Sequence, residues 1–182
     1  MNREVTVPQA GSERDRAASA LFVQHYDSLR RLACFLLGDP AQAEEVVMDC
    51  FTKALARWGL VKGTHEPHAY LRRMVINRCR SKQRRRAVEA RVTSLLGRSA
   101  EHHGVELQGV ELHGLALDVW DAVRALPERP RTAVLLRYLE DLKEAEIAEA
   151  MDCPLGTVKS LLSRARTRLS EELGPEFFGG GA

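Results

Sequence analysis

The chain has 182 residues and a formal net charge of +2, a balance too small to predict or exclude a nucleic-acid partner. Its hydrophobic share of 45% is enough for a buried core, and an aromatic share of only 5% predicts that Leu, Val, Ala and Met dominate that core. There is no apolar N-terminal segment of the signal-peptide kind and no stretch of about 18 apolar residues, which predicts a soluble, cytoplasmic protein without membrane insertion.

The chain is predicted to begin with a disordered tail followed by a long helix. Residues 1–16 are polar, contain Pro8 and Gly11, and show no apolar period. From Ala17 onward, apolar side chains recur at steps of three and four, as they do on one face of an α-helix. Gly38 ends this pattern and so predicts the end of the first helix.

Turn signals then delimit two more helices. Asp39 is a predicted N-cap, and Pro40 suits the first turn of a helix over Ala41–Trp58. The segment Gly59–Glu66 is predicted to be a loop, and Pro67 opens a third helix. The apolar stripe of that third helix includes Leu71, Met74, Val75 and Cys79.

The middle of the chain interrupts the helical pattern. Residues 92–114 include four glycines and three histidines, which predicts a flexible linker. Helical period then returns and lasts to residue 173, and a short tail follows over 174–182. Because period-two alternation and hairpin turns are missing, the prediction is an all-α chain with two small helical domains, 17–91 and 115–173.

The most specific motif lies in the C-terminal domain. A helical segment, LKEAEIAEAM from Leu142, is followed by the turn Asp152–Pro154 and a second helical segment, LGTVKSLLSRARTRL. A helix, a tight turn and a second helix with a basic outer face are typical of a helix-turn-helix DNA reader. The side chains predicted to pack inward from the second helix are Val158, Leu161, Leu162, Ala165 and Leu169.

The opposite face of this second helix has the candidate base-reading side chains. They are Lys159, Ser160, Ser163, Arg164 and Thr167. Arg and Lys favour guanine edges, whereas Ser accepts several bases. Gly156 and Thr157 lie at the helix N-terminus, where backbone N–H groups attract a phosphate, and Arg166 and Arg168 flank the reading face as candidate backbone contacts. An amphipathic hairpin with a solvated basic face is the alternative, but the turn, the spacing and the hydroxyl-bearing face together favour DNA.

A second basic surface is predicted on the third helix. Between Arg72 and Arg86 there are eight Arg or Lys residues and no acid. Steps of four, three and four place four of the polar side chains in one stripe: Arg73, Asn77, Arg80 and Arg84. The amide of Asn77 suits base edges. Tyr70 is a candidate platform for an unpaired base, although a tyrosine in this position is more often part of a core. A generic basic patch remains the alternative for the whole stripe.

Charge on the second helix has the opposite sign. Asp39, Glu44, Glu45 and Asp49 form an acidic stretch without a basic residue among them. An acidic face ahead of a basic one favours a basic protein partner on the first and phosphate on the second.

Nothing in the sequence favours an enzyme, a metal site or a cofactor. Cys34, Cys50, Cys79 and Cys153 are far apart, which is typical of small buried hydrophobes in a reducing compartment. The linker histidines, His102, His103 and His113, have no carboxylate or cysteine partner at metal-site spacing. No phosphate-binding glycine loop and no nucleophile motif occurs.

Three segments together resemble a known family. GDPAQAEEVVMDCFTKALARW is similar to the pattern GD…DAEDLVQETFLRAW, and PHAYLRRMVINRCRSKQRRR is similar to WLYRIARNRALDxLRR. The C-terminal segment contains GTVKSLLSRARTRL, which resembles the specific signature GTVKSxLxRARxxL. These are the patterns of extracytoplasmic-function sigma factors, the minimal promoter-specificity subunits of bacterial RNA polymerase. The resemblance covers about Ala20 to Leu173 apart from the linker.

The resemblance implies a different binding role for each of three groups of residues. Glu44, Glu45 and Asp49 would face the β′ clamp coiled coil of core RNA polymerase, whose β subunit is also an implied partner. The stripe on the third helix, with Tyr70, would engage the −10 element of promoter DNA. The helix-turn-helix would bind the −35 element through Gly156, Thr157, Lys159, Ser160, Ser163, Arg164 and Arg166. Members of this family are commonly held inactive by an anti-sigma factor, which adds a further candidate partner.

A stand-alone regulator of the LuxR-like kind is the competing interpretation. Its reader helix is superficially similar, but such a protein binds duplex DNA without polymerase and usually dimerises on a palindrome. The acidic helix followed by a second basic helix argues against it.

Overall fold

The computed structural model describes residues 13–64, 66–95 and 117–174, and over these ranges the chain is all-α. Helices α1–α4 form an N-terminal domain and α5–α8 form a C-terminal domain, so the predicted fold class is confirmed. The helices are α1 Glu13–Leu37, α2 Pro40–Ala56, α3 Trp58–Lys62, α4 Pro67–Leu95, α5 Leu117–Ala125, α6 Glu128–Tyr138, α7 Glu144–Met151 and α8 Leu155–Leu173.

The N-terminal domain packs α1 against α2 and α4. The turn between α1 and α2 follows the predicted chemistry, since Gly38 adopts a left-handed φ of 69° and Asp39 is an extended N-cap. The Asp39 carboxylate accepts a hydrogen bond from the Gln42 N–H at 3.0 Å, and Pro40 occupies the first turn. The predicted N-cap is therefore confirmed.

Four features of the helices differ from the sequence prediction. Helix α1 begins at Glu13 rather than near Ala17. Helix α2 ends at Ala56, because Arg57 leaves helical geometry with φ −114° and ψ 32°. The five residues Trp58–Lys62, mostly expected to be loop, then form α3, which Val61 anchors by its complete burial. Helix α4 also continues to Leu95, beyond the predicted start of the linker. The linker histidines and the outer parts of both tails lie outside the described residues.

The C-terminal domain has the predicted helix-turn-helix. Helix α7 ends at Met151, and the left-handed φ of 50° at its C-cap, Asp152, turns the chain. The Cys153 N–H donates to the Ala148 carbonyl at 3.0 Å. The five inward side chains predicted on α8 are all buried. They pack with Ile147 and Met151 of α7, which are also buried.

The two domains also contact each other, which the sequence did not predict. Helix α4 packs against α7, and α1 packs against α6. Phe35 of α1 meets Trp120 of α5 edge-to-face, with ring centroids 4.5 Å apart, and both side chains are buried. The buried side chains of the two domains form one continuous hydrophobic cluster.

Cys34, Cys50 and Cys79 are buried in the N-terminal core as predicted, whereas Cys153 is half-buried in the turn. Burial raises the pKa of Cys50 to about 11 and that of Cys79 to about 12, so both remain thiols at neutral pH.

Among the described residues no group of acidic, His and Cys side chains could hold a metal ion. In the same part of the chain, no helix has the length and apolar character needed to cross a membrane.

Candidate nucleic-acid and polymerase interfaces

The outer face of α8 is open to solvent. Its exposed side chains are Lys159, Ser160, Ser163, Arg164, Arg166, Thr167 and Arg168. The Ser160 hydroxyl donates to the Gly156 carbonyl at 3.0 Å, which leaves its oxygen able to accept a further bond. The face therefore combines cationic donors with small hydroxyls, as base-edge recognition requires.

The N-terminus of α8 is shaped for close approach of an anion. Its N-cap is Pro154, which makes no side-chain capping bond, and the Thr157 N–H donates to the Pro154 carbonyl at 2.9 Å. Gly156 is exposed, and a Cβ built on it would meet no heavy atom within 4 Å. Because the Thr157 N–H is already bonded, the Gly156 N–H and the positive end of the helix dipole are the groups accessible to a phosphate.

Helix α4 presents the predicted polar stripe opposite its buried apolar stripe. Arg73, Asn77 and Arg84 are exposed and Arg80 is half-exposed, whereas Leu71 and Val75 are buried. These four polar side chains, Arg73, Asn77, Arg80 and Arg84, are called the α4 stripe below. Tyr70 lies beside them, half-buried and packed against the core, so much of its ring is already in contact with protein.

Two arginines of the α4 stripe pair with carboxylates of the C-terminal domain. Arg73 Nη2 lies 2.9 Å from Asp152 Oδ1, and Arg80 Nε lies 3.4 Å from Glu128 Oε1. Local sequence pattern has no signal for these pairs, because the partners are about 50 to 80 positions apart in sequence.

Arg72, a member of the predicted basic cluster, is not on the exposed face of α4. It is buried between the domains, and its Nη1 lies 4.0 Å from Glu140 Oε2, a carboxylate that is buried as well. Burial raises the pKa of Glu140, while Arg72 and Arg31 partly oppose this rise.

The acidic stretch on α2 faces basic residues of the same domain. Glu45 pairs with Lys82 of α4, and Asp49 accepts from Lys53 at 2.7 Å and lies 3.0 Å from Arg78. The hydrogen bond from Lys53 lowers the pKa of Asp49, and the charge of Arg78 adds to this, against a smaller opposing effect of burial. The acidic and basic segments therefore partly neutralise each other. The sequence does not predict this, because the paired residues are far apart along the chain.

Exposed apolar side chains accompany the acids on α2. Met48 is 44% exposed and Leu55 is 41% exposed, and a spacing of seven residues puts them on the same side of the helix. Glu44 is exposed on the same helix, and the pKa of Tyr26 is raised first by burial and then by the negative charge of Glu44. This mixture of acidic and apolar groups suits a protein partner better than a nucleic acid.

Comparison with known proteins identifies the family. Residues 21–89 match the family described as Sigma-70 region 2, and residues 116–169 match Sigma-70, region 4. The RNA polymerase sigma-E factor of Streptomyces coelicolor is 33% identical over 81% of this chain and 80% of its own length. The ECF RNA polymerase sigma-E factor of Haemophilus influenzae is 31% identical over 72% of this chain and 74% of its own. The chain is an extracytoplasmic-function sigma factor.

The solved structures agree with this assignment. The sigma factor RpoE from Bartonella quintana, in complex with the anti-sigma factor NepR, aligns with a TM-score of 0.73 at 25% identity, over 88% of this sigma factor and 99% of the other chain. CnrH, in complex with the cytosolic domain of CnrY, shares the fold with a TM-score of 0.59 at 20% identity.

As a sigma factor, the chain binds core RNA polymerase and directs promoter recognition, DNA melting and transcription initiation. Its family is one of non-enzymatic initiation factors. The LuxR-like alternative is not favoured, because both sigma regions match and the matches account for the N-terminal domain as well as the helix-turn-helix.

Proposed function

We propose that this sigma factor reads its promoter with two separate helices and contacts polymerase with a third. The observation that carries the proposal is that α4 and α8 each bury an apolar stripe and present a polar, largely cationic face. One chain thereby has two nucleic-acid surfaces, and joining two weak sites raises the effective concentration of each for its own element.

Helix α8 reads the −35 element as duplex DNA. Lys159, Ser160, Ser163 and Arg164 contact base edges in the major groove. Gly156 and Thr157 receive a phosphate at the helix N-terminus, and Arg166 contacts the backbone beside it. Support comes from the exposure of all these residues except the half-buried Thr157, and from the uncapped helix N-terminus.

Helix α4 reads the −10 element. The α4 stripe supplies three guanidinium groups for phosphates, and the Asn77 amide is its one side chain suited to hydrogen-bonding a base edge. Tyr70 stacks on a base exposed by strand opening through the part of its ring that is not in contact with the core.

Helix α2 binds core polymerase through its acidic and apolar outer face. Glu44, Glu45 and Asp49 face the basic β′ clamp coiled coil, with the β subunit a further contact of the chain, and Met48 adds apolar area. Because Glu45 and Asp49 already have basic partners on α4, Glu44 is the acid with the most charge to gain from polymerase. Similarity to a sigma factor solved with its anti-sigma factor supports a partner of that class for this chain as well.

The testing experiment selects promoter sequences with reconstituted holoenzyme. Core RNA polymerase and the purified chain are incubated with a randomised promoter library, and the bound DNA is sequenced. We expect Arg164→Ala to change the selected −35 sequence only and Asn77→Ala to change the −10 sequence only. Arg85→Ala is the matched control, since Arg85 is exposed on α4 but lies about 100° around the helix from the stripe. Unchanged sequences in both variants would contradict the assignment of these helices.

A further inference from the structure

Helix α8 begins with a large apolar side chain that is exposed to solvent. Leu155 is the first residue of the helix and is 43% exposed. Its neighbours Pro154 and Gly156 are exposed as well. Among the described residues of the C-terminal domain, the only other exposed large hydrophobic side chain is Tyr138, at the end of α6. A single exposed leucine is common on protein surfaces, so its position on the helix decides what it can do.

The packing of α8 accounts for only part of this side chain. Leu155 lies three residues before Val158 and seven before Leu162, which are both buried, so it is at the edge of the apolar stripe. More than half of its surface is covered there, and the rest faces solvent. Because the covered part already restricts the side chain, contact with a ligand costs it little further rotamer entropy.

Leu155 is close to the candidate base-reading face of α8. Lys159 of that face is exposed and follows four residues later, and side chains four residues apart project from the same side of a helix. The space around Gly156, the next residue after Leu155, is open. In helix-turn-helix proteins the N-terminal residues of the second helix contact base edges. A pose that brings Lys159 to a base edge therefore brings Leu155 to one as well.

The major groove has one apolar group that a leucine can recognise. The thymine C5-methyl group projects into it, whereas the other distinguishing groups of the base edges are hydrogen-bond donors or acceptors. A leucine placed against a donor or acceptor removes water from that group without replacing its hydrogen bond, which is unfavourable. Lys159, Ser160 and Arg164 supply hydrogen-bonding groups to the same face, and Leu155 adds an apolar surface.

We propose that Leu155 reads a thymine of the −35 element through its C5-methyl group, at the end of the element that the N-terminus of α8 contacts. The inference rests on the proposed assignment of α8 to the −35 element. It adds a specificity-determining residue to that assignment and predicts which base the residue selects.

The test removes the methyl group and nothing else from the DNA. Holoenzyme is reconstituted from core RNA polymerase and each variant, and the −35 element is the one selected by the wild-type holoenzyme. Each thymine of that element, in either strand, is replaced in turn by deoxyuridine, which keeps the hydrogen-bonding groups of thymine. Anisotropy with a fluorescent promoter at fixed salt measures the ratio of the two affinities for each protein.

We expect wild-type holoenzyme to lose about fourfold in affinity at one thymine, the factor for withdrawing one methyl group from an apolar contact. Leu155→Ala should bind thymine and deoxyuridine equally at that position. Leu155→Met keeps a long apolar side chain and should retain the discrimination. The matched control is Leu60→Ala, since Leu60 of α3 is also an exposed leucine, at 64%, and this variant should keep the wild-type ratio. A purely structural role of Leu155 would leave the ratio unchanged, because each protein is compared with itself.

Three results would overturn the proposal. They are a selected −35 element without thymine, equal binding of thymine and deoxyuridine by the wild type at every position, and an unchanged ratio in Leu155→Ala.

Promoter selection with Arg164→Ala separates this failure from failure of the proposed function. If that variant selects the wild-type −35 element, the assignment of α8 is wrong and the Leu155 contact fails with it. If Arg164→Ala changes the element while Leu155→Ala keeps the wild-type ratio, only the Leu155 contact is wrong.

Discussion

A single histidine shows how burial sets the charge of this protein. His68 stacks on His25, with ring centroids 4.2 Å apart, and its Nε2 is buried without a hydrogen-bond partner among the described residues. Burial, with smaller contributions from His25 and Arg72, lowers the pKa of His68 from 6.5 to about 4. The folded protein therefore keeps this ring neutral where the unfolded chain would protonate it.

We predict that His68 makes the fold acid-sensitive. Between pH 4 and pH 6.5 the unfolded state binds more protons at this site, so the stabilising effect is complete above pH 6.5 and is lost as the pH falls toward 4. His68→Gln, which stays neutral, should lose less melting temperature than wild type when the pH is lowered from about 7.5 to about 5. Circular dichroism melts at both pH values test this. Equal losses in the two proteins would show that the ring is not shielded.

The cap of α2 is a second test at this scale. Asp39→Ala should lower the free energy of unfolding by about 1 kcal/mol, because the Gln42 N–H loses its acceptor. Asp39→Asn keeps a capping oxygen, and both variants lose the ion pair with Arg86, so their difference isolates the cap. In urea unfolding, Asp39→Asn should have a higher free energy of unfolding than Asp39→Ala. The reverse order would contradict the capping role.

On α8, we predict that Arg164 reads bases and that Arg166 positions the helix on the DNA backbone. Both are exposed on the same helix, but only Arg164 lies on the proposed base-reading face. Arg164→Ala should cost about 1–3 kcal/mol on the preferred −35 sequence and little on others. Arg166→Ala should weaken all sequences alike and reduce the salt dependence of binding. Anisotropy titrations of holoenzyme, reconstituted from core RNA polymerase and each variant, on matched and mutated −35 duplexes distinguish the two roles. Identical sequence and salt dependence for both variants would contradict the assignment.

Sequence pattern predicted those elements whose faces are set by local period. The buried face of α8 and the apolar stripe of α4 followed directly from steps of three and four, and the N-cap of α2 from the order Gly, Asp, Pro. Helix α3 was missed because five residues are too few to show a period. The half-burial of Tyr70 depends on packing between helices, so the sequence does not predict it. It leaves less of the ring free to stack on a base, but does not exclude stacking.

Residue pairs distant in sequence could not be predicted in the same way. Arg72 looked like one more surface cation, and only the approach of α7 and its preceding turn gives it Glu140 as a partner. Likewise, Lys82 pairs with Glu45, which is 37 positions away in sequence. At this separation, local sequence pattern cannot show that the acidic and basic segments face each other. The sign of each charge can be read from the sequence, but only the folded structure shows which charges pair.

At the scale of the molecule, the buried pair Arg72–Glu140 should couple the two domains. Removing one partner leaves an unpaired charge in the interface, so Arg72→Met and Glu140→Leu should each lower the free energy of unfolding by about 2–4 kcal/mol. The double variant should lose less than the sum, with a coupling of at least about 1 kcal/mol. Urea unfolding of all four proteins measures this cycle. Simple additivity would mean that the two side chains do not interact in the folded protein.

We propose that the chain reads promoters only as part of polymerase, with α4 on the −10 element and α8 on the −35 element. Run-off transcription with core RNA polymerase and a promoter chosen by the wild-type holoenzyme tests this proposal. We predict specific transcripts that require the sigma factor and are lost with Asn77→Ala or Arg164→Ala but not with Arg85→Ala. Full transcription by the Asn77→Ala and Arg164→Ala variants, or tight binding to a palindrome without polymerase and no transcripts with it, would contradict the account.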